Sequence, residues 1–258
     1  MSAQVAVQSN PDLLAASVAA RLVTRLVDAQ AAGSIPSVVL TGGGIGISVL
    51  DHVQRAPARD AVDWRRVEFW WGDERFVPEA DTGRNELQAR QTLLDHVPVD
   101  PARVHPFPAS DGQFGTDVDA AAEWYAGQLS DHARPEDHGP VPCFDVLLLG
   151  IGEEGHTASI FPESPAAYEE RSVVAVRNCP KPPPTRLTLT FPALTSAHEV
   201  WMVAAGAGKA RAVAMALGGV GRVQLPAAGA RGRNRTLWLL DRAAAAKLPS
   251  SFLRLPVS

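Results

Sequence analysis

The sequence predicts an α/β protein built on a mostly parallel sheet with helices on both faces. Three features predict it. Short continuous runs of apolar, often β-branched residues read as strands buried on both sides. Stretches with apolar residues at helical spacing lie between them. Glycine-rich turns follow several of the strand-like runs, as expected where strands give way to helices.

The elements follow in order along the chain. Asn10-Pro11 reads as an N-cap followed by proline at the first helical position. Leu14, Val18, Leu22 and Leu26 then recur every fourth residue, and Gly33 supplies a stop, which predicts a helix over 11–32. Residues 37–41 (SVVLT), 67–71 (VEFWW) and 144–150 (FDVLLLG) predict buried strands, as do 173–176, 199–205 and 236–240. Helices are predicted over 85–96, 118–132, 209–217 and 243–248. Residues 134–142 (RPEDHGPVP) are polar and proline-rich, but composition is unchanged on either side. They read as an inserted loop, and residues 1–258 as a single domain.

Composition narrows the function classes. Of the residues, 46% are hydrophobic and 20% charged, the balance of an ordinary globular protein. The 24 basic and 28 acidic residues leave a net charge of −4, which argues against a nucleic-acid partner. No apolar run approaches the roughly 18 residues of a membrane span, and residues 1–12 carry no secretory pattern. Only Cys143 and Cys179 occur, without a CxxC pair, so neither a disulfide scaffold nor a structural zinc site is expected. The expectation is a soluble, cytoplasmic protein.

In an open parallel sheet, ligands bind beyond the carboxyl ends of the strands. Four segments fall there. The first, Thr41-Gly42-Gly43-Gly44-Ile45-Gly46, holds more glycine than a tight turn needs. Its amides at a helix start suit an anion such as phosphate. The spacing matches neither dinucleotide-binding nor P-loop fingerprints. The second, Gly72-Asp73-Glu74-Arg75 with Arg84-Asn85, suits a charged or polyhydroxylated ligand, although alone it reads as a surface ion pair. The third, Gly150-Ile151-Gly152-Glu153-Glu154-Gly155-His156-Thr157-Ala158-Ser159, joins a glycine turn, carboxylates and a histidine at an expected helix start. There His156 is placed to move a proton at neutral pH, with a carboxylate two residues away to fix its tautomer. Ser159 lacks a hydrolase nucleophile's context and reads as a helix N-terminal serine. The fourth group is Lys181, Arg186 and Lys209. Isolated, these are solvated surface cations; converging on one edge, they make a pocket for a small dianion such as a sugar phosphate.

These segments together resemble the 6-phosphogluconolactonase family, within the wider glucosamine-6-phosphate isomerase/lactonase superfamily. The resemblance rests on LTGGG (40–44), FWWGDERFVP (69–78) with RN (84–85), and LLLGIGEEGHTASIFP (147–162). PKPPPTRLTLT (180–190), GAGKA (206–210) and TLWLLD (236–241) extend it. It implies a modified Rossmann-like fold, no metal, no cofactor, and a sugar-phosphate lactone as the small-molecule partner. The implied reaction is hydrolysis of 6-phospho-D-glucono-1,5-lactone in the pentose phosphate pathway. It further implies His156 as general base, with Glu154 where many relatives carry Asp. Arg75 would stabilise the oxyanion or hold the lactone, with Asp73 positioning it or the sugar hydroxyls. Gly43, Gly44, Arg186 and Lys209 would form the phosphate end, with Lys181 a further candidate there. Monomer and homodimer both stay open.

Two neighbouring readings fit less well. The isomerase or deaminase branch carries tyrosine where this chain has Arg75, and a glutamate where it has Phe161. A sugar-phosphate sensor on the same fold would carry a DNA-binding module, and no helix-turn-helix or basic segment precedes Val38.

Overall fold

The computed structural model describes residues 3–252; Met1, Ser2 and residues 253–258, the ends of the expected single domain, lie outside it. In chain order the main elements are β1 (Gln4–Gln8), α1 (Pro11–Ala31), β2 (Ser37–Leu40), α2 (Gly43–Arg55) and β3 (Glu68–Trp71). Then come β4 (Asp73–Arg75), α3 (Asn85–Thr92), α4 (Val118–His132), β5 (Val146–Gly150), β6 (Val173–Val176) and β7 (Arg186–Leu189). The last are α5 (Phe191–Leu194), β8 (Glu199–Ala204), α6 (Ala210–Leu217) and β9 (Arg235–Asp241).

Six strands form one sheet in the order β1-β9-β8-β5-β2-β3, with every neighbouring pair parallel. Successive side chains point to opposite faces, yet Val146, Leu147, Leu148 and Leu149 are all buried, as are Val200 to Ala204. Both faces of the central strands are therefore covered. Helix α1 starts as its sequence requires: Asn10 Oδ1 accepts from the Leu13 amide, and proline follows. Its repeating positions Leu14, Val18, Leu22 and Leu26 are buried against the core. Trp70, Trp71, Trp201, Phe69 and Phe144 are among the largest buried side chains.

The structure corrects several expectations. Strand β6 does not join the parallel sheet; it belongs to a second, antiparallel sheet ordered β4-β7-β6. The chain passes into it directly from β3, because the Gly72 amide still donates to Leu40 while the Gly72 carbonyl accepts from Leu189. Residues 243–248 form turns rather than a helix, with the Ala244 amide tied to Asp241 Oδ1. Residues 85–96 break after Thr92 into a single 3-10 turn, Leu94–His96. The edge strand β1, which pairs with β9, had no counterpart among the expected strands.

Strand β2 sits between β3 and β5, the one place where the chain's progress across the sheet reverses. Loops leaving β2 and β5 diverge there, which opens a crevice at their carboxyl ends.

Candidate active site

That crevice is a cleft of about 780 Å³, lined by residues from the loops after β2, β5 and β8 and from the small sheet. Asp73, Arg75, Gly43, Gly44, His156, Lys181, Arg186 and Lys209 all line it. Glu154 stands just behind His156 and completes the set.

The loop after β5 closes on itself. The Gly152 amide donates to the His156 carbonyl at 2.8 Å, and Thr157 Oγ1 donates back to the Gly150 carbonyl at 2.9 Å. A bridge between Thr157 and Ile160 follows, so His156 sits in a tight loop and not at a helix N-terminus as the sequence had implied. The glycines let the backbone turn too sharply for a helix to start. His156 Nδ1 lies 2.9 Å from Glu154 Oε1, and Phe161 stacks on the ring at 4.5 Å between centroids. An ionised carboxylate can only accept, so Nδ1 carries the proton and Nε2 keeps its lone pair. Burial works against charge on Glu154, but its own amide, Lys181 and His156 outweigh that and hold its carboxyl down at about 2. Burial lowers the His156 pKa, and Lys181 lowers it further, against the opposing pull of Glu154 and Asp73.

Strand β4 alternates in the usual way. Asp73 and Arg75 line the cleft, while Glu74 points away, fully buried, to accept the Asn85 and Glu86 amides that open α3. Burial pushes Glu74 up to about 7 despite Arg84 and these amides. Asp73 Oδ2 accepts from Ser159 Oγ at 2.7 Å, which gives Ser159 a role other than the helix-start serine expected for it. Arg75 and Arg186 are directly paired across the antiparallel ladder, and both line the cleft. Like charges so placed repel unless an anion lies beside them, and Asp73 Oδ2 stands 4.0 Å from Arg186 Nη1. The Arg75 guanidinium donates to the Gly83 carbonyl, and its buried Nε has no partner among the described residues. Arg186 is more committed. Its Nη2 donates to the Lys181 and Pro182 carbonyls at 3.0 and 3.2 Å, and its Nε to Pro183 at 3.2 Å.

Elsewhere on the cleft wall, Gly42 caps α2 and Gly43 adopts φ +80°, a left-handed conformation that side chains disfavour. The turn presents the free amides of a 13-residue helix to the cleft, and the helix dipole adds partial positive charge there. Lys209 also lines the cleft, on the side of Lys181, its pKa lowered by burial and by Lys181 against the opposing pull of Glu153 and Glu154. The Lys181 ammonium is engaged with Glu154 Oε2 at 3.0 Å. Asn85, named with the second segment, lines the cleft too, as does Ser48, which sequence reasoning passed over. Asn85 is legible in the RN pair; Ser48 carries a signal only as the residue one turn beyond Gly44. Among the described residues, no cluster of three or more His, Cys, Asp or Glu side chains is arranged to hold a metal ion.

The family described as glucosamine-6-phosphate isomerases/6-phosphogluconolactonase matches residues 9–238. The chain belongs to this family. The 6-phosphogluconolactonase of Streptomyces coelicolor is 57% identical over 249 residues, covering 96% of this chain and 95% of that protein. That of Mycobacterium tuberculosis is 52% identical over 251 residues, 97% of this chain and 100% of the relative. Among solved structures, the 6-phosphogluconolactonase of Trypanosoma brucei is similar at 30% identity and a TM-score of 0.80, covering 96% of this chain and 99% of that one. The modified Rossmann-like fold expected of the family is the one observed, six parallel strands with helices and a small antiparallel sheet.

Proposed function

We propose that this chain hydrolyses 6-phospho-D-glucono-1,5-lactone to 6-phosphogluconate by general-base activation of water. The observation that carries the reading is a histidine with Nδ1 tied to a carboxylate, lining the same cleft as the opening glycines of α2 and Lys209. In the step, His156 Nε2 takes a proton from water as its oxygen bonds to the lactone carbonyl carbon. Arg75 stabilises the oxyanion, with Asp73 held by Ser159 beside it. Collapse breaks the bond from the carbonyl carbon to the ring oxygen, which takes the proton back from His156. The new carboxylic acid then ionises. A lactone is already an activated ester, so one positioned base and one positive charge suffice without a covalent nucleophile or cofactor.

The phosphate is assigned to the amides of Gly43 and Gly44 with Lys209, and to Arg186, whose Nη1 faces Ser159 Oγ at 3.5 Å and Asp73 Oδ2 at 4.0 Å. Lys209→Ala is expected to raise KM roughly tenfold, the lower end for loss of a charge-assisted bond, with kcat close to wild type. An unchanged KM removes Lys209 from the phosphate end.

We read residues 1–258 as one working unit because a single apolar cluster joins residues of both sheets. Two unpaired cysteines, Cys143 and Cys179, fit a reducing cytoplasm. The decisive assay is proton release from freshly prepared 6-phosphogluconolactone at constant pH, above spontaneous hydrolysis. Conversion of glucosamine 6-phosphate to fructose 6-phosphate is the counter-test, and turnover there without lactone hydrolysis would replace the reading with the isomerase one.

A further inference from the structure

The Lys181 side chain stands where a second phosphate ligand is expected, yet the structure gives it a different partner. Glu154 divides its carboxylate between two groups, with Oε1 2.9 Å from His156 Nδ1 and Oε2 3.0 Å from the Lys181 ammonium. The backbone that carries Lys181 is fixed in turn. Arg186 donates to the carbonyls of Lys181, Pro182 and Pro183, and the run of prolines leaves that strap little freedom. A buried arginine thus anchors a stiff segment, which delivers one cation to one carboxylate, which grips one imidazole.

We propose that Lys181 is a positioning residue of the hydrolytic step: by sharing the Glu154 carboxylate it keeps His156 uncharged and ready to accept a proton, and it does not bind the substrate's phosphate. The inference rests on His156 being the general base. Its physical basis is a balance of charge. A carboxylate facing imidazole alone stabilises imidazolium, which cannot accept a proton. A cation on the other oxygen draws that negative charge away and leaves the hydrogen bond to Nδ1 in place.

Other charged groups near His156 do not duplicate this effect. Asp73 faces it from β4 and favours imidazolium. Arg186 approaches from β7 but lies beyond Phe161, 5.9 Å from that ring's centre. Lys209, with Glu153, belongs to the neighbourhood of Lys181. Phe161 itself covers a face of the imidazole and adds no charge.

The test compares Lys181→Met and Lys181→Arg with wild type and His156→Ala, after subtracting spontaneous lactone hydrolysis at each pH. In Lys181→Met the rising limb of kcat/KM is expected at higher pH than in wild type. At pH 6 the value should fall about two- to fivefold, the scale of a partly exposed ion pair. Lys181→Arg, which keeps the cation, should restore the wild-type limb. Competitive inhibition by inorganic phosphate should stay within twofold of wild type in both. A limb that does not move in Lys181→Met, or an inhibition constant for phosphate raised more than twofold, overturns the proposal. His156→Ala separates the two levels: if it retains the wild-type limb, the general-base reading fails, and otherwise the failure belongs to Lys181 alone.

Discussion

Replacing His156 by Ala is expected to lower kcat by about 10²–10⁴-fold, the usual contribution of a positioned proton acceptor. Affinity for 6-phosphogluconate should be largely kept, because the phosphate is assigned to other groups of the cleft, Gly43, Gly44, Arg186 and Lys209. The pH profile is the sharper readout. Burial holds the His156 pKa below the ordinary histidine value, so the wild-type limb should rise with pH and lie at lower pH than that of an ordinary histidine. Below that pKa the ring is imidazolium and has no lone pair to offer; above it the base is available. In His156→Ala the enzymatic limb should vanish, leaving a rate that parallels background hydrolysis. If turnover stays near wild type and only KM rises, His156 holds a sugar hydroxyl and water is activated elsewhere.

Much of this arrangement is legible in the sequence, and the parts that are not share a physical cause. Helix α1 announces itself through Asn10, Pro11 and a clean four-residue repeat, and α4 through Val118, Ala122, Tyr125 and Leu129 on one face. These are local signals. The strand β4 is only three residues, Asp-Glu-Arg, and nothing in that triplet favours a strand; pairing with β7 creates it. Strand β1, Gln-Val-Ala-Val-Gln, is polar at both ends because it lies at the sheet edge. Residues 243–248 look helical by alanine content, but so short a run does not nucleate alone, and Asp241 ties its start into turns. At the site the same division holds. Glycine turns and the histidine loop stand out along the chain. Contacts between distant segments do not: Ser159 on Asp73, and Lys181 on Glu154. Each joins residues whose proximity exists only after folding.

The second large effect comes from a residue with no side chain. Gly152→Ala is expected to lower kcat by ~10²-fold while the protein stays folded. A Cβ at Gly152 would stand 2.0 Å from His156 Nδ1, 2.4 Å from its Cε1 and 2.7 Å from Glu154 Oε2. No real Cβ tolerates such contacts, so the methyl must push apart the two groups whose hydrogen bond sets the tautomer. The imidazole has little room to yield, because Phe161 lies against its face and the loop is closed by the Gly152 amide on the His156 carbonyl. A displacement of about 1 Å at a reacting group is enough for a loss of this size. Gly152 has an ordinary backbone angle, so the defect would come from crowding and not from strain in φ. The comparison with His156→Ala is informative: the alanine at 152 should retain a residual pH-dependent rate, since an imidazole is still present but misplaced. Turnover within threefold of wild type in Gly152→Ala would show that the Glu154–His156 contact is dispensable for hydrolysis.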